Sequence, residues 1–140
     1  MVGRCHLRFL GSSRAPRPRS DQRTLNRIVC TAPGMLEPQF DEARGMQGLD
    51  DALAFAARMA GGFDGLVQPM LAPDRVETCT LPLLRRTMAA SAERGLPVRL
   101  HMAQGRMERK TVEALHGTTG PRWLAANGLL NDRLIAPHAV

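Results

Sequence analysis

The chain has 140 residues, room for one modest domain, and at 44% hydrophobic and 23% charged it has the composition of an ordinary soluble globular protein. No apolar run approaches the roughly 20 residues that span a bilayer. The first residues lack a continuous secretory core, and three cysteines (Cys5, Cys30, Cys79) with no CxxC pair exclude a disulfide framework or a zinc finger and fit a reducing, cytoplasmic setting.

The formal charge of +6 is confined to residues 1–34, where seven arginines face the single acid Asp21. Residues 35–140 carry twelve basic and twelve acidic side chains, so the basic character belongs to a segment and not to a domain face. Within that segment, Gly11–Ser20 reads GSSRAPRPRS, all breakers, hydroxyls and arginine. Such a stretch buries too little to offset its ordering entropy, so residues 1–34 are expected to be a disordered, solvated arm. An arm of this kind can contact phosphates or act as a targeting peptide. It has no interleaved aromatic platform and no clean amphipathic helix, so neither a nucleic-acid partner nor an organelle address is expected.

Residues 35–140 alternate helix and strand. Leu49, Ala52, Leu53, Ala56, Met59 and Ala60 fall on one face of a helix expected from Gly48 to Gly61, with Asp50 and Asp51 in its first turn. Gly65–Leu71 reads as a short buried strand. A second helix is capped by Thr80, tolerates Pro82 in its first turn, turns Leu84, Met88 and Ala92 inward, and ends at Gly95. A strand Val98–His101, helices at Met107–Leu115 and Pro121–Asn127, and a last strand Leu134–Ala136 complete the pattern. Strands and helices at this spacing predict βαβ units on a parallel sheet. Three strands are far short of the about 250 residues of a full eight-stranded barrel. Either the domain is a small open α/β sandwich, or it is an arc of a larger barrel with two unpaired sheet edges.

In parallel α/β folds, reactive groups gather at the carboxyl ends of strands. His101 ends one expected strand and His138 follows another, so two imidazoles can converge there on a metal ion or a water. Alternation puts Arg99 and His101 on one face and Val98 and Leu100 on the other. The plainer reading is that each histidine is a satisfied loop residue. Gln104 lies three residues past His101, where a carboxylate would serve as a general acid/base; Gln can orient a hydrogen bond but cannot carry a proton. Cys79 precedes a helix start, where a thiol pKa can fall, but it has no evident base. His116, in a last helical turn, complements the dipole and needs no function.

The stretches LVQPMLAPDRVETCTLPLLRR, PVRLHMAQGRMERKTVEALHG and GPRWLAANGLLNDRLIAPHAV together resemble the middle of the amidohydrolase superfamily, in particular its cytosine deaminase and triazine chlorohydrolase-like group. That group carries a strand of the form apolar-H-x-x-E, a downstream Glu, a helix before GLL and a strand ending in aHxv. The resemblance covers about residues 48–140 and implies an α/β fold that is part of a (β/α)8 TIM barrel, about three parallel strands with flanking helices. It implies that His101 is a metal ligand on the fifth strand and that His138 polarises substrate or steers a metal-bound hydroxide. Gln104 stands where the group's deaminases have a proton-shuttling Glu, which argues against ring deamination. No HxH occurs in the sequence and no eighth-strand Asp follows His138, so most of the family's metal ligands are absent.

The expectation is therefore a central fragment of a metal-dependent amidohydrolase. Full-length relatives would use a divalent metal, zinc or iron, to hydrolyse C–N bonds other than peptide bonds in small-molecule substrates. The chain alone is expected to retain no metal and no activity. The alternative is a non-catalytic protein that self-associates through its open sheet edges.

Overall fold

The computed structural model describes residues 28–29 and 39–138. The expected disordered arm, residues 1–34, lies outside these, save for Ile28–Val29 (β1), which pairs antiparallel with Gln39–Phe40 (β2).

The first helix, α1, runs Glu42–Met59, six residues earlier than the apolar periodicity implies. Asp41 caps it, accepting the N–H of Arg44 at 2.9 Å, and Glu42 occupies its first turn. Asp50 and Asp51 are thus mid-helix, a correction to their expected place. The apolar stripe of Leu49, Leu53 and Ala56 is buried, and Gly45 is buried on the same face one turn earlier.

The expected strand Gly65–Leu71 is largely absent. Gly62–Gly65 forms a 3-10 turn, and only Leu71 makes a strand bridge. Pro69 and Pro73 each lack a ladder donor on either side of that bridge, which limits the strand to its middle. A second 3-10 turn, Val76–Thr78, follows.

The next helix, α2 (Leu81–Arg94), matches its sequence signals. Thr80 accepts from the Leu83 N–H, Pro82 sits in the first turn, and Gly95 ends it at φ +65, a left-handed conformation that costs an L side chain energy. Leu83, Leu84, Thr87, Met88 and Ser91 are buried, whereas Ala92 is exposed, so the inner stripe runs through Ser91 and not Ala92. The Ser91 hydroxyl donates to the Leu96 carbonyl at the helix end.

Three parallel segments follow one another across the sheet. Leu71 bridges Val98, and β3 (Val98–Arg99) pairs in parallel with β4 (Leu134–Ile135) in the register Val98 to Leu134 and Arg99 to Ile135. Between them run α3 (Arg106–His116), ended by Gly117, and α4 (Gly120–Ala126). Leu71, Leu84, Val98, Leu100, Val112 and Leu124 are completely buried between the sheet and the helices. Each such side chain contributes about 1.5–3 kcal/mol on burial. Val98 and Leu100 thus join the helices in one core, while Arg99 is half-buried and Ile135 exposed.

Candidate functional site at the strand ends

The ladder continues past the short strands to His101. The Arg99 N–H donates to Leu71 O at 2.8 Å, Leu100 N–H to Ile135 O at 3.1 Å, and His101 N–H to Asp74 O at 3.1 Å. Val76 N–H returns to His101 O at 3.2 Å, closing an isolated parallel bridge between Arg75 and His101. Val98 and Leu100, completely buried, face the helices; Arg99 and His101, half-buried, face the other way. His138 lies three residues beyond the end of β4 and is exposed.

Their rings meet. The His101 and His138 centroids are 5.0 Å apart, with the planes tilted by 32°. The Nδ1 of His101 is buried and has no hydrogen-bond partner among the described residues. Burial pulls the His101 pKa down, and the charge of Arg99 and the neighbouring His138 act in the same direction, with Asp74 opposing them.

Gln104 is held by its backbone. Its N–H donates to Glu108 Oε2 at 2.9 Å, and the preceding Ala103 takes a left-handed φ of +50, the turn that swings the chain from β3 into α3. Among the described residues, no hydrogen bond joins the Gln104 side chain to either imidazole.

Two buried acids beside this turn are not singled out in the sequence. Glu108 is 5% exposed and Glu77 6%. Glu108 is the third residue of α3, where an acidic side chain reaching back to the preceding N–H groups is a recognised signal. Glu77 has no comparable cue. Its Oε1 lies 3.6 Å from Arg75 Nη1 while its Oε2 has no hydrogen-bond partner among the described residues, and burial pushes its carboxyl pKa up. Arg75 also pairs with Asp74 at 3.1 Å.

Cys79 is corrected. It is buried, and burial pushes its thiol up to about 12, the reverse of activation at a helix start. His116 stacks on Trp123, centroids 4.1 Å apart, and burial lowers its pKa, so the cation expected at this helix end is disfavoured.

A catalytic zinc ordinarily takes three protein ligands. Among the described residues, no group of three or more His, Cys, Asp or Glu is placed to hold a metal ion. Two imidazoles beside the Arg99 guanidinium do not fit such an ion by themselves.

No protein-family model matches the chain. Over 100 residues it is 33% identical to 5-methylthioadenosine/S-adenosylhomocysteine deaminase 2 of Archaeoglobus fulgidus, covering 71% of this chain and 24% of that protein. It is 32% identical over 92 residues to the 5-methylthioadenosine/S-adenosylhomocysteine deaminase of Pelotomaculum thermopropionicum, covering 66% and 21%. The matched stretch belongs to the amidohydrolase superfamily. The chain thus spans between a fifth and a quarter of these two amidohydrolases.

Solved structures agree on the fold. A zinc-bound adenosine deaminase from Xanthomonas campestris superimposes with TM-score 0.59 at 24% identity, over 69% of this chain and 21% of that one. An atrazine chlorohydrolase from Arthrobacter aurescens, complexed with zinc, gives 0.55 at 21%, over 66% and 21%. These neighbours are amidohydrolase barrels, and this amidohydrolase stretch is an α/β piece with a small parallel sheet. No helix among the described residues is long and apolar enough to cross a membrane.

Proposed function

We propose that this chain is a central segment of a metal-dependent amidohydrolase, an arc of a (β/α)8 barrel carrying its fifth and sixth strands, and that it does not catalyse hydrolysis alone. The contact of the His101 and His138 rings at the ends of neighbouring parallel strands carries this reading. In complete relatives the chemistry would be hydrolysis of a C–N bond outside peptides, and the deaminase names of the matched proteins point to purine nucleosides as the substrate class. His101 offers an imidazole donor and His138 a hydrogen bond to substrate or to an attacking water. Gln104 orients but cannot pass a proton, which sets this chain apart from a deaminase even where its backbone is in place. The setting consistent with this reading is cytoplasmic.

The test is ammonia release from 5-methylthioadenosine by the purified chain with added zinc or iron. None is expected. Metal-dependent release that disappears in His101→Ala would overturn the reading.

A second reading is self-association without catalysis. It is favoured by β4, which among the described residues pairs with β3 only and leaves Ile135 43% exposed. Sedimentation velocity decides it: a stable monomer at all concentrations speaks against it, and a concentration-dependent dimer speaks for it.

A further inference from the structure

Arg99 is on the same strand face as His101, two residues and about 7 Å earlier along the chain. An arginine side chain is long enough to span that separation. Unlike Arg75, whose charge is engaged by Asp74 at 3.1 Å and Glu77 at 3.6 Å, Arg99 has no carboxylate within ion-pair distance among the described residues. On the same side the His101 Nδ1 is buried and has no hydrogen-bond partner among the described residues, and the His138 ring lies 5.0 Å from that of His101.

We propose that the opening bounded by Arg99, His101 and His138 binds a small oxyanion, a carboxylate or phosphate, with Arg99 as its charged anchor. This goes beyond the proposed function, since it concerns what the opening takes when metal ligands are lacking.

The chemistry favours the anion over a dication for three reasons. A guanidinium presents paired N–H donors that match two oxygens of a carboxylate or phosphate, and it repels a metal ion. Each neutral imidazole has one N–H to donate and one nitrogen to accept, so two rings complete a donor set for an oxyanion but fall short of a metal site. Finally, Asp74, whose backbone carbonyl accepts the His101 N–H, has its carboxylate engaged by Arg75 at 3.1 Å, whereas Arg99 has no carboxylate within ion-pair distance among the described residues.

The full chain is titrated with inorganic phosphate at neutral pH while the imidazole ring signals of His101 and His138 are followed by NMR. Saturable shifts of both rings are expected. In Arg99→Gln the affinity falls about tenfold or more, the loss of one charged hydrogen-bonded contact, while Arg99→Lys retains part of it. Circular dichroism verifies that both variants keep the helical signal of the parent. The absence of saturable ring shifts, or a titration unchanged in Arg99→Gln, which would place the phosphate on the arginines of residues 1–34, overturns the proposal. One-to-one zinc binding lost in His101→Ala, with phosphate inert, overturns it as well. Ammonia release by the chain contradicts the proposed function and leaves the oxyanion site standing.

Discussion

Glu108 and Gln104 are tied by one part-buried hydrogen bond: the Glu108 carboxylate, 5% exposed, accepts the Gln104 N–H at 2.9 Å and closes the turn between β3 and α3. The other carboxylate oxygen, Oε1, lies 3.1 Å from where a Cβ on Gly120 would stand, so the bare α-carbon at the start of α4 makes room for it. The turn that follows His101 is therefore fixed by a residue on one helix and the missing side chain of the next. Glu108→Ala, which leaves the Gln104 N–H without its charged partner, is expected to lower stability by about 1–3 kcal/mol in urea titration. Gly120→Ala should lower it too, by displacing the carboxylate. Neutral behaviour of both variants would show that the contact does not hold the turn.

Burial decides the inner face of α2. Leu84 is completely buried and Ala92 exposed, although both fit the helical spacing. Leu84→Ala is expected to cost about 2–5 kcal/mol, whereas Ala92→Ser should stay within about 0.5 kcal/mol. Equal losses would return Ala92 to the core.

The legible part of the fold was its punctuation. Thr80 and Gly95 bound α2, Gly117 ends α3, and all three act through local capping chemistry that needs no tertiary partner. The Val98–His101 strand and its parallel neighbour were also readable, because Val98 and Leu100 alternate with Arg99 and His101. The start of α1 was not, since Gly45 and Gly48 interrupt the apolar pattern and only the Asp41 contact shows the helix already under way. The Gly65–Leu71 strand was overstated although Pro69, legible inside the run, withholds a donor from the sheet. At the site, the histidine pair followed from strand ends, while Glu77 and Glu108 escaped notice because acids are ordinarily solvated and their burial depends on contacts distant in sequence.

Glu77 gives a pH signature. Folding raises its pKa, chiefly by burial, so the native state holds that proton more tightly than the unfolded chain. Its contribution favours the fold below the ordinary carboxylate range and is lost as pH rises through the window between the unfolded and folded values. Glu77→Gln removes this slope. The difference in unfolding free energy between variant and parent should grow in the variant's favour as pH rises from acid to neutral; a flat difference contradicts the burial of an unpaired Oε2.

His116 and Trp123 give an optical one. Burial lowers the His116 pKa, so the stability it confers is complete above the ordinary value of 6.5 and is lost as pH falls through the lower, folded value. Trp123 is the only tryptophan in the chain, and its ring lies 4.1 Å from the imidazole. A protonated imidazole quenches indole emission, so fluorescence should drop with a midpoint below 6.5 and become insensitive to pH in His116→Gln. A midpoint at or above 6.5 would show an exposed, unstacked ring.

The placement of the two strand-end histidines is most directly tested by nuclear Overhauser measurements on the full chain with labelled imidazoles. Rings with centroids 5.0 Å apart should give cross-peaks between the carbon-bound protons of His101 and His138. Their absence, in a sample whose α2 contacts to the sheet are intact, would contradict the ring contact on which the proposed function rests.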